Sequence, residues 1–157
     1  MHAMILRKTA LFRENQTPLE SADLSVPVPG NGEILIQVSS CGVCHTELDE
    51  IEGRTPPSRF PMILGHQIVG RVAELGKGSA KFREGDRVGV GWIHSACGKC
   101  LFCQTGRENL CADFKATGRD ADGGYAEYAA IPEQSAYSIP KCFTDGEAAP
   151  LLCAGAI

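Results

Sequence analysis

Apolar and polar positions alternate along EILIQVSS, residues 33–40, with Ile34, Ile36 and Val38 on one side of the alternation and Leu35, Gln37 and Ser39 on the other. A period of two marks a strand, and the apolar Leu35 on the second side marks a well-buried one. Similar β-rich runs recur at 3–8 (AMILRK), 66–75 (HQIVGRVAEL), 85–92 (GDRVGVGW) and 123–131 (GGYAEYAAI). Gly and Pro punctuation separates them at Pro27 to Gly32, Gly76 to Gly78 and Asp122 to Gly124, where turns draw on those residues. VPVPGNGE at 26–33 reads as a surface loop. One helix start is clear: Thr144 and Glu147 have capping-box spacing ahead of AAPLLCAGA, and Pro150 is expected to weaken or kink that helix early. Many short strands and few helices predict a mainly β protein, a closed or partly closed barrel.

Composition narrows the picture. The 157 residues, 43% of them hydrophobic, suffice for one domain with an apolar core. Fifteen basic against nineteen acidic residues leave a net charge of −4 with no basic cluster, so nucleic acid and anionic membrane are not expected partners. The N-terminus lacks the long apolar run of a secretory signal, and no stretch approaches bilayer-spanning length. The expected setting is soluble and cytoplasmic. Eight cysteines in such a chain point to metal ligation or chemistry rather than disulfides, because a reducing compartment keeps thiols free.

The strongest motif is CGKCLFCQTGRENLC, which sets Cys97, Cys100, Cys103 and Cys111 in fifteen residues. One excursion of chain with that spacing can surround a single ion, and a closed tetrahedral zinc site is the first reading. An iron–sulfur cluster and a pair of disulfides are the alternatives. Four thiolates around a dication sum to −2 and leave no vacant position, so such a site holds a lobe together and does not react. Lys99, Arg107 and Lys115 stand close enough in sequence to offset the charge.

A second group of candidates begins in CGVCHTELDE, residues 41–50. Cys41 ends the alternating strand, where a thiol behaves as a small hydrophobe. Cys44 follows a Gly-Val turn and precedes a short helix, whose N-terminal amides favour a thiolate, which makes it the better ligand. His2, His45, His66, His94, Cys142 and Cys153 complete the list of candidates, and most must be bystanders.

CGVCHTELD, then GHQIVGRVAELG at 65–76, then the four-cysteine loop, then AAPLLCAG at 148–155 resemble, in order and spacing, the zinc-dependent alcohol dehydrogenases of the medium-chain dehydrogenase/reductase superfamily. The likeness covers essentially the whole chain, 1–157. It implies a GroES-like, partly open β-barrel catalytic domain with a zinc-binding lobe. It further implies a catalytic zinc on Cys44, His66 and Cys153 and a structural zinc on the four clustered cysteines. Two thiolates and a neutral imidazole leave the first ion formally neutral with an open position, hence able to act as a Lewis acid.

The same resemblance suggests that Thr46 receives the alcohol proton, that His45 contacts the pyrophosphate of NAD or NADP, and that Glu47 orients His66. The chain departs from the family at Asp49, where many members have a histidine as terminal proton acceptor, and at Gln67, where glutamate is usual. Either the Asp49 carboxylate or water would take the proton. Trp92 either narrows a substrate pocket towards small primary alcohols or packs in the core. His94 is expected in an exposed loop, Cys142 in the core, and Tyr125 and Tyr128 in a strand.

GKGSAK and GVGWIH lack the third glycine and the βαβ setting of a dinucleotide fingerprint. The nucleotide-binding Rossmann domain is therefore expected outside this chain. On that expectation the chain is the catalytic-domain part of a longer dehydrogenase acting on a small alcohol or aldehyde, prone to self-association into a homo-oligomer and inactive by itself. A non-catalytic zinc-binding or scaffold domain, and a medium-chain dehydrogenase for polyols, aryl alcohols or aldehydes, are the other readings.

Overall fold

The computed structural model describes residues 1–153 and Gly155; of the run 148–155, Ala154 lies outside the described residues. Among the described residues, ten strands and three α-helices follow in chain order: β1 (His2–Leu6), β2 (Leu19–Asp23), β3 (Glu33–Gly42), α1 (His45–Glu52), β4 (Met62–Ile63), β5 (Gln67–Leu75), β6 (Arg87–Val90), β7 (Ile93–Ser95), α2 (Leu101–Gln104), β8 (Lys115–Ala116), β9 (Tyr128–Pro132), β10 (Ala136–Ser138) and α3 (Asp145–Leu151). Every run read as a strand from its alternation contains one. β2 escaped that reading because LESAD is largely exposed and has no apolar alternation; it exists as the antiparallel partner of β1, with Met4 opposite Ser21.

The strands form a five-stranded antiparallel sheet in the order β10-β6-β5-β3-β9, a three-stranded sheet β2-β1-β4 and the ribbon β7-β8. β5 is the central strand, and β3, the longest, pairs with β5 on one side and β9 on the other. Its ladder with β5 shifts register between Val38 and Ser40, the bend a bulge provides. The two larger sheets meet at an isolated bridge, Ala3 opposite Ala126, reinforced by Met4 N donating to Tyr125 O at 2.8 Å and Val38 N to Glu127 O at 2.9 Å. The sheets remain separate ladders, so the barrel is partly open.

The main core is the inner face of the five-stranded sheet: Ile34, Ile36, Ile68, Val72, Val88, Val90 and Ile131, with Phe82 closing one end. Full burial of such a side chain contributes roughly 1.5–3 kcal/mol. A smaller cluster of Leu6, Ile51, Met62 and Leu64 fastens α1 to the three-stranded sheet. On the opposite face of the large sheet, Ala148 and Ala149 of α3 pack on Val69.

Three expectations need correction. His94 lies in β7 and is half-buried, not in an exposed loop, because β7 pairs with β8 and the His94 carbonyl accepts the Ser135 hydroxyl at 2.6 Å. Cys142 is exposed, since it sits in the turn between β10 and α3 and not on a core-facing strand. Tyr128 is in β9, but Tyr125 is in the preceding bend, half-buried, with its hydroxyl 3.4 Å from the Gly42 carbonyl that accepts from it. The helix at 145 starts as its capping box requires, with Thr144 Oγ1 accepting from Glu147 N at 3.3 Å, and Pro150 stands one residue before its end. The 26–33 segment enters β3 only at Glu33 and leaves Val28 83% exposed.

Ile68→Ala is expected to cost about 3 kcal/mol, since its fully buried side chain leaves a cavity in the centre of the sheet, whereas Val28→Ala should change stability by no more than about 0.5 kcal/mol. Urea denaturation of the two variants checks the contrast, and similar losses for both contradict the assigned core.

Candidate metal centres and active site

Cys44 is the N-cap of α1, with φ −123° and ψ 163°, and it forms a capping box with Glu47. Glu47 Oε2 accepts from Cys44 N at 2.7 Å, while the other oxygen of the same carboxylate, Oε1, lies 2.6 Å from His66 Nδ1. Both residues are buried, at 3% and 1% exposure. His66 reaches this position through Gly65, whose φ of +93° is open to glycine alone, and at which a Cβ would stand 2.6 Å from the Tyr125 ring and 2.9 Å from Cys41 Sγ. Cys153 follows α3 and brings its sulfur to 4.0 Å from Cys44 Sγ.

One ligand atom from each of Cys44, His66 and Cys153 lies within 4.8 Å of the others. His66 Nε2 is buried without a hydrogen-bond partner among the described residues. Burial, then the proximity of Cys44, raises the Cys153 thiol pKa. An orphaned imidazole nitrogen facing two crowded sulfurs is a donor set suited to a cation, and Nδ1 against a carboxylate fixes the tautomer that leaves Nε2 as donor.

The second centre is local. Cys97, Cys100, Cys103 and Cys111 also place their sulfurs within 4.8 Å of one another, with Cys100 3.5 Å and Cys97 3.9 Å from Cys103. A tetrahedron with metal–sulfur bonds of about 2.3 Å has edges of about 3.8 Å, so the spacing fits a single ion. All eight cysteines are free, against the disulfide alternative. The amides of Lys99 and then Cys100 pull the Cys97 thiol down to about 6, and burial followed by Cys100 pushes Cys103 up to about 12. A dication bound by such a set displaces the thiol protons.

Around the first centre, Thr46 Oγ1 lies 3.6 Å from Cys44 Sγ. His45 Nδ1 is 3.3 Å from Asp49 Oδ1 one helical turn on, its side chain 74% exposed. Arg54 also pairs with Asp49, and holds that carboxyl below the usual carboxylate range. Trp92 stands edge-on to His66, ring centroids 5.2 Å apart at 80°, with the Arg119 guanidinium 5.3 Å from its ring centre. Gln67 is buried, with neither amide atom hydrogen-bonded among the described residues. Cys41 packs against the main core, and burial, then Glu47, pushes its thiol up to about 12, as a thiol acting as a hydrophobe requires.

The profile of the alcohol dehydrogenase GroES-like domain family matches residues 30–141. The chain belongs to that family. Among curated proteins it is similar to the probable alcohol dehydrogenase AdhA of Mycobacterium tuberculosis, with 47% identity over 145 residues, covering 89% of this chain and 42% of that protein. Among solved structures it is similar to an NAD-dependent alcohol dehydrogenase (TM-score 0.88, 31% identity, covering 97% of this chain and 43% of that one). The cobalt- and zinc-bound thermostable alcohol dehydrogenase of Pyrobaculum aerophilum is close behind (TM-score 0.86, 32% identity, 96% and 44%). The chain spans less than half the length of the curated relatives it matches. The superfamily of zinc alcohol dehydrogenases read from the motifs is the one these comparisons reach.

Glu50 was not singled out from the sequence, although it stands three residues after Glu47, on the same helical face. It is fully buried, and neither carboxyl oxygen has a hydrogen-bond partner among the described residues. Burial first, then Glu47, raises its pKa from 4.5 to about 8; Asp120 and Asp49 add to the rise and Arg119 opposes it. Because the folded chain holds this proton more tightly than the unfolded chain, the stability contributed here is full below the ordinary value and is lost as pH climbs towards about 8. Glu50→Gln keeps the shape and removes the ionisation. Its stability advantage should grow by up to ~1.4 kcal/mol per pH unit between about pH 5 and pH 8, read by urea denaturation at constant zinc; a pH-independent difference contradicts a neutral Glu50.

Proposed function

We propose that this chain is the catalytic domain of a zinc-dependent alcohol dehydrogenase that passes hydride from a small alcohol to NAD or NADP, with Cys44, His66 and Cys153 holding the catalytic zinc and Cys97, Cys100, Cys103 and Cys111 a structural one. The observation that carries the reading is the convergence of one sulfur before α1, one imidazole before β5 and one sulfur after α3 within 4.8 Å, on a chain whose family is alcohol dehydrogenase. Zinc at that site supplies Lewis acidity, which lets an alcohol hydroxyl lose its proton near neutral pH. Thr46, beside Cys44, would accept that proton while passing its own hydroxyl proton on, and its place in the first turn of α1 opens a route outward. His45, exposed at the helix start, meets the cofactor pyrophosphate. Asp49 is a weak base because Arg54 depresses its pKa, so it orients His45 and leaves the final proton to water. Trp92 forms a wall beside His66 and favours small primary alcohols.

The dinucleotide is bound mainly by a Rossmann domain in the remainder of a longer protein, consistent with the length of the relatives. Association of copies and a cytoplasmic setting belong to the same proposal. Exposed Leu101 and Leu110 on the cysteine lobe support the first, and the free thiols support the second. No helix among the described residues is long and apolar enough to cross a membrane.

Metal analysis of this chain should find two zinc ions that chelator removes in two steps, the four-cysteine ion last, because its ligands are local in sequence. Cys103→Ser should abolish the late step and Cys44→Ser the early one; a single step for both ions contradicts the assignment. In a full-length protein carrying this domain, Cys44→Ser or His66→Ala should abolish alcohol-dependent cofactor reduction, and Thr46→Ala should slow it about 100-fold. The 157-residue chain should show none.

A further inference from the structure

Cys153 comes from the shortest support of the three proposed ligands. Its helix, α3, has seven residues and contains Pro150, so local helix propensity does little to hold it. What it rests on is the outer face of β3 and β5, with β6 meeting it at its two ends. Val88 and Val90 point into the main core, so Arg87 and Gly89, alternating with them, point to the opposite face. There Arg87 Nε donates to Asp145 Oδ1 at 2.6 Å, at the first turn of α3, and Arg87 Nη1 donates to the Pro140 carbonyl at 3.0 Å. Ser39 of β3 donates to the other oxygen of Asp145 at 2.5 Å. Two residues on, a Cβ at Gly89 would lie 3.0 Å from the Leu152 side chain, and one at Gly91 would lie 3.0 Å from the Leu152 carbonyl. Val69, opposite Gly89 across the ladder, receives Ala148 and Ala149.

The two ends of α3 are held differently. A charged anchor holds the N-terminal end, and the absence of side chains lets the C-terminal end lie directly on the strand. We infer that the face formed by Arg87, Gly89 and Gly91 is a seat for α3 that sets the distance of the Cys153 sulfur from Cys44 and His66, which makes Arg87, Asp145 and Gly91 positioning residues for the metal site. None of them touches the proposed ligands' donor atoms. They act through the place of the helix.

The metal part of the test rests on the zinc reading proposed above, and a second measurement is independent of it. Titration of the metal-free chain with cobalt(II), followed by thiolate-to-cobalt absorption, should fill the four-cysteine site first and the Cys44, His66 and Cys153 site second. Arg87→Leu, Asp145→Asn and Gly91→Ala should each weaken the second step about tenfold or more, the scale on which groups that orient a ligand act, and leave the first step unchanged. Arg87→Leu with Asp145→Asn should lose no more than the worse single variant, because both break one anchor. Dibromobimane, which bridges neighbouring thiols, should link Cys44 to Cys153 in the unmodified chain, as identified by peptide mass spectrometry, and the variants should lose that product.

A second cobalt bound within twofold of the unmodified affinity in all three variants, with the cross-link retained, overturns the seat. If the unmodified chain cross-links but takes no second cobalt, the zinc reading falls, and the cross-link yields of the variants alone decide the seat. Should Arg87→Leu lose the circular-dichroism signature or the urea-unfolding transition of the unmodified chain, it has unfolded, and Gly91→Ala, which keeps the charged anchor, decides.

Discussion

A single buried carboxylate organises the proposed catalytic centre. Glu47 accepts from the Cys44 amide with one oxygen and faces His66 Nδ1 with the other, so the same group that closes the first turn of α1 also holds the imidazole before β5. Burying a carboxylate is costly unless it is hydrogen-bonded or paired. Here one oxygen accepts a backbone amide and the other stands 2.6 Å from an imidazole nitrogen, so one side chain serves as helix cap and as imidazole support. A helix shift large enough to misplace Cys44 therefore also breaks the contact that orients His66. The two residues cannot drift independently.

The two cysteine-bearing centres are built on opposite principles. The four-cysteine lobe is closed within fifteen residues, around the short helix α2, with little burial beyond Cys111; its geometry is carried by the loop itself and by whatever ion the sulfurs share. The other centre joins residues 44, 66 and 153, and its geometry is carried by the sheet. β3 delivers the chain to Cys44, β5 starts immediately after His66, and the outer face of those two strands, with Arg87 of β6, supports the helix before Cys153. That division suits chemistry that demands an open coordination position. A site held rigid by the fold tolerates a missing fourth ligand, whereas a loop closed on its ion does not.

The environment behind the centre is equally particular. Glu50 lies one turn beyond Glu47 without a hydrogen-bond partner among the described residues, and its raised pKa follows from burial beside an ionised neighbour. Trp92 stands at 80° to the imidazole, ring centroids 5.2 Å apart, with the Arg119 guanidinium over its own ring. The imidazole thus contacts one carboxylate and one aromatic ring and is almost wholly buried.

Local chemistry was legible in the chain itself. The strand cores at 34–38, 68–72 and 88–90 follow from alternation, the start of α3 from the Thr144 and Glu147 spacing, and the four-cysteine centre from ligands that lie close in sequence, because each depends only on near neighbours. Cys44, His66 and Cys153 were reachable through family resemblance, and Glu47 with them, but no spacing rule joins residues so far apart. Only the tertiary structure decided what depends on long-range packing. It placed His94 in a half-buried ribbon, left Cys142 exposed, buried Glu50 without a partner, and set Arg87, Asp145 and Ser39 against one another. Those outcomes turn on which side of a strand or helix meets another element, and a burial penalty or a paired charge exists only once the second surface has arrived.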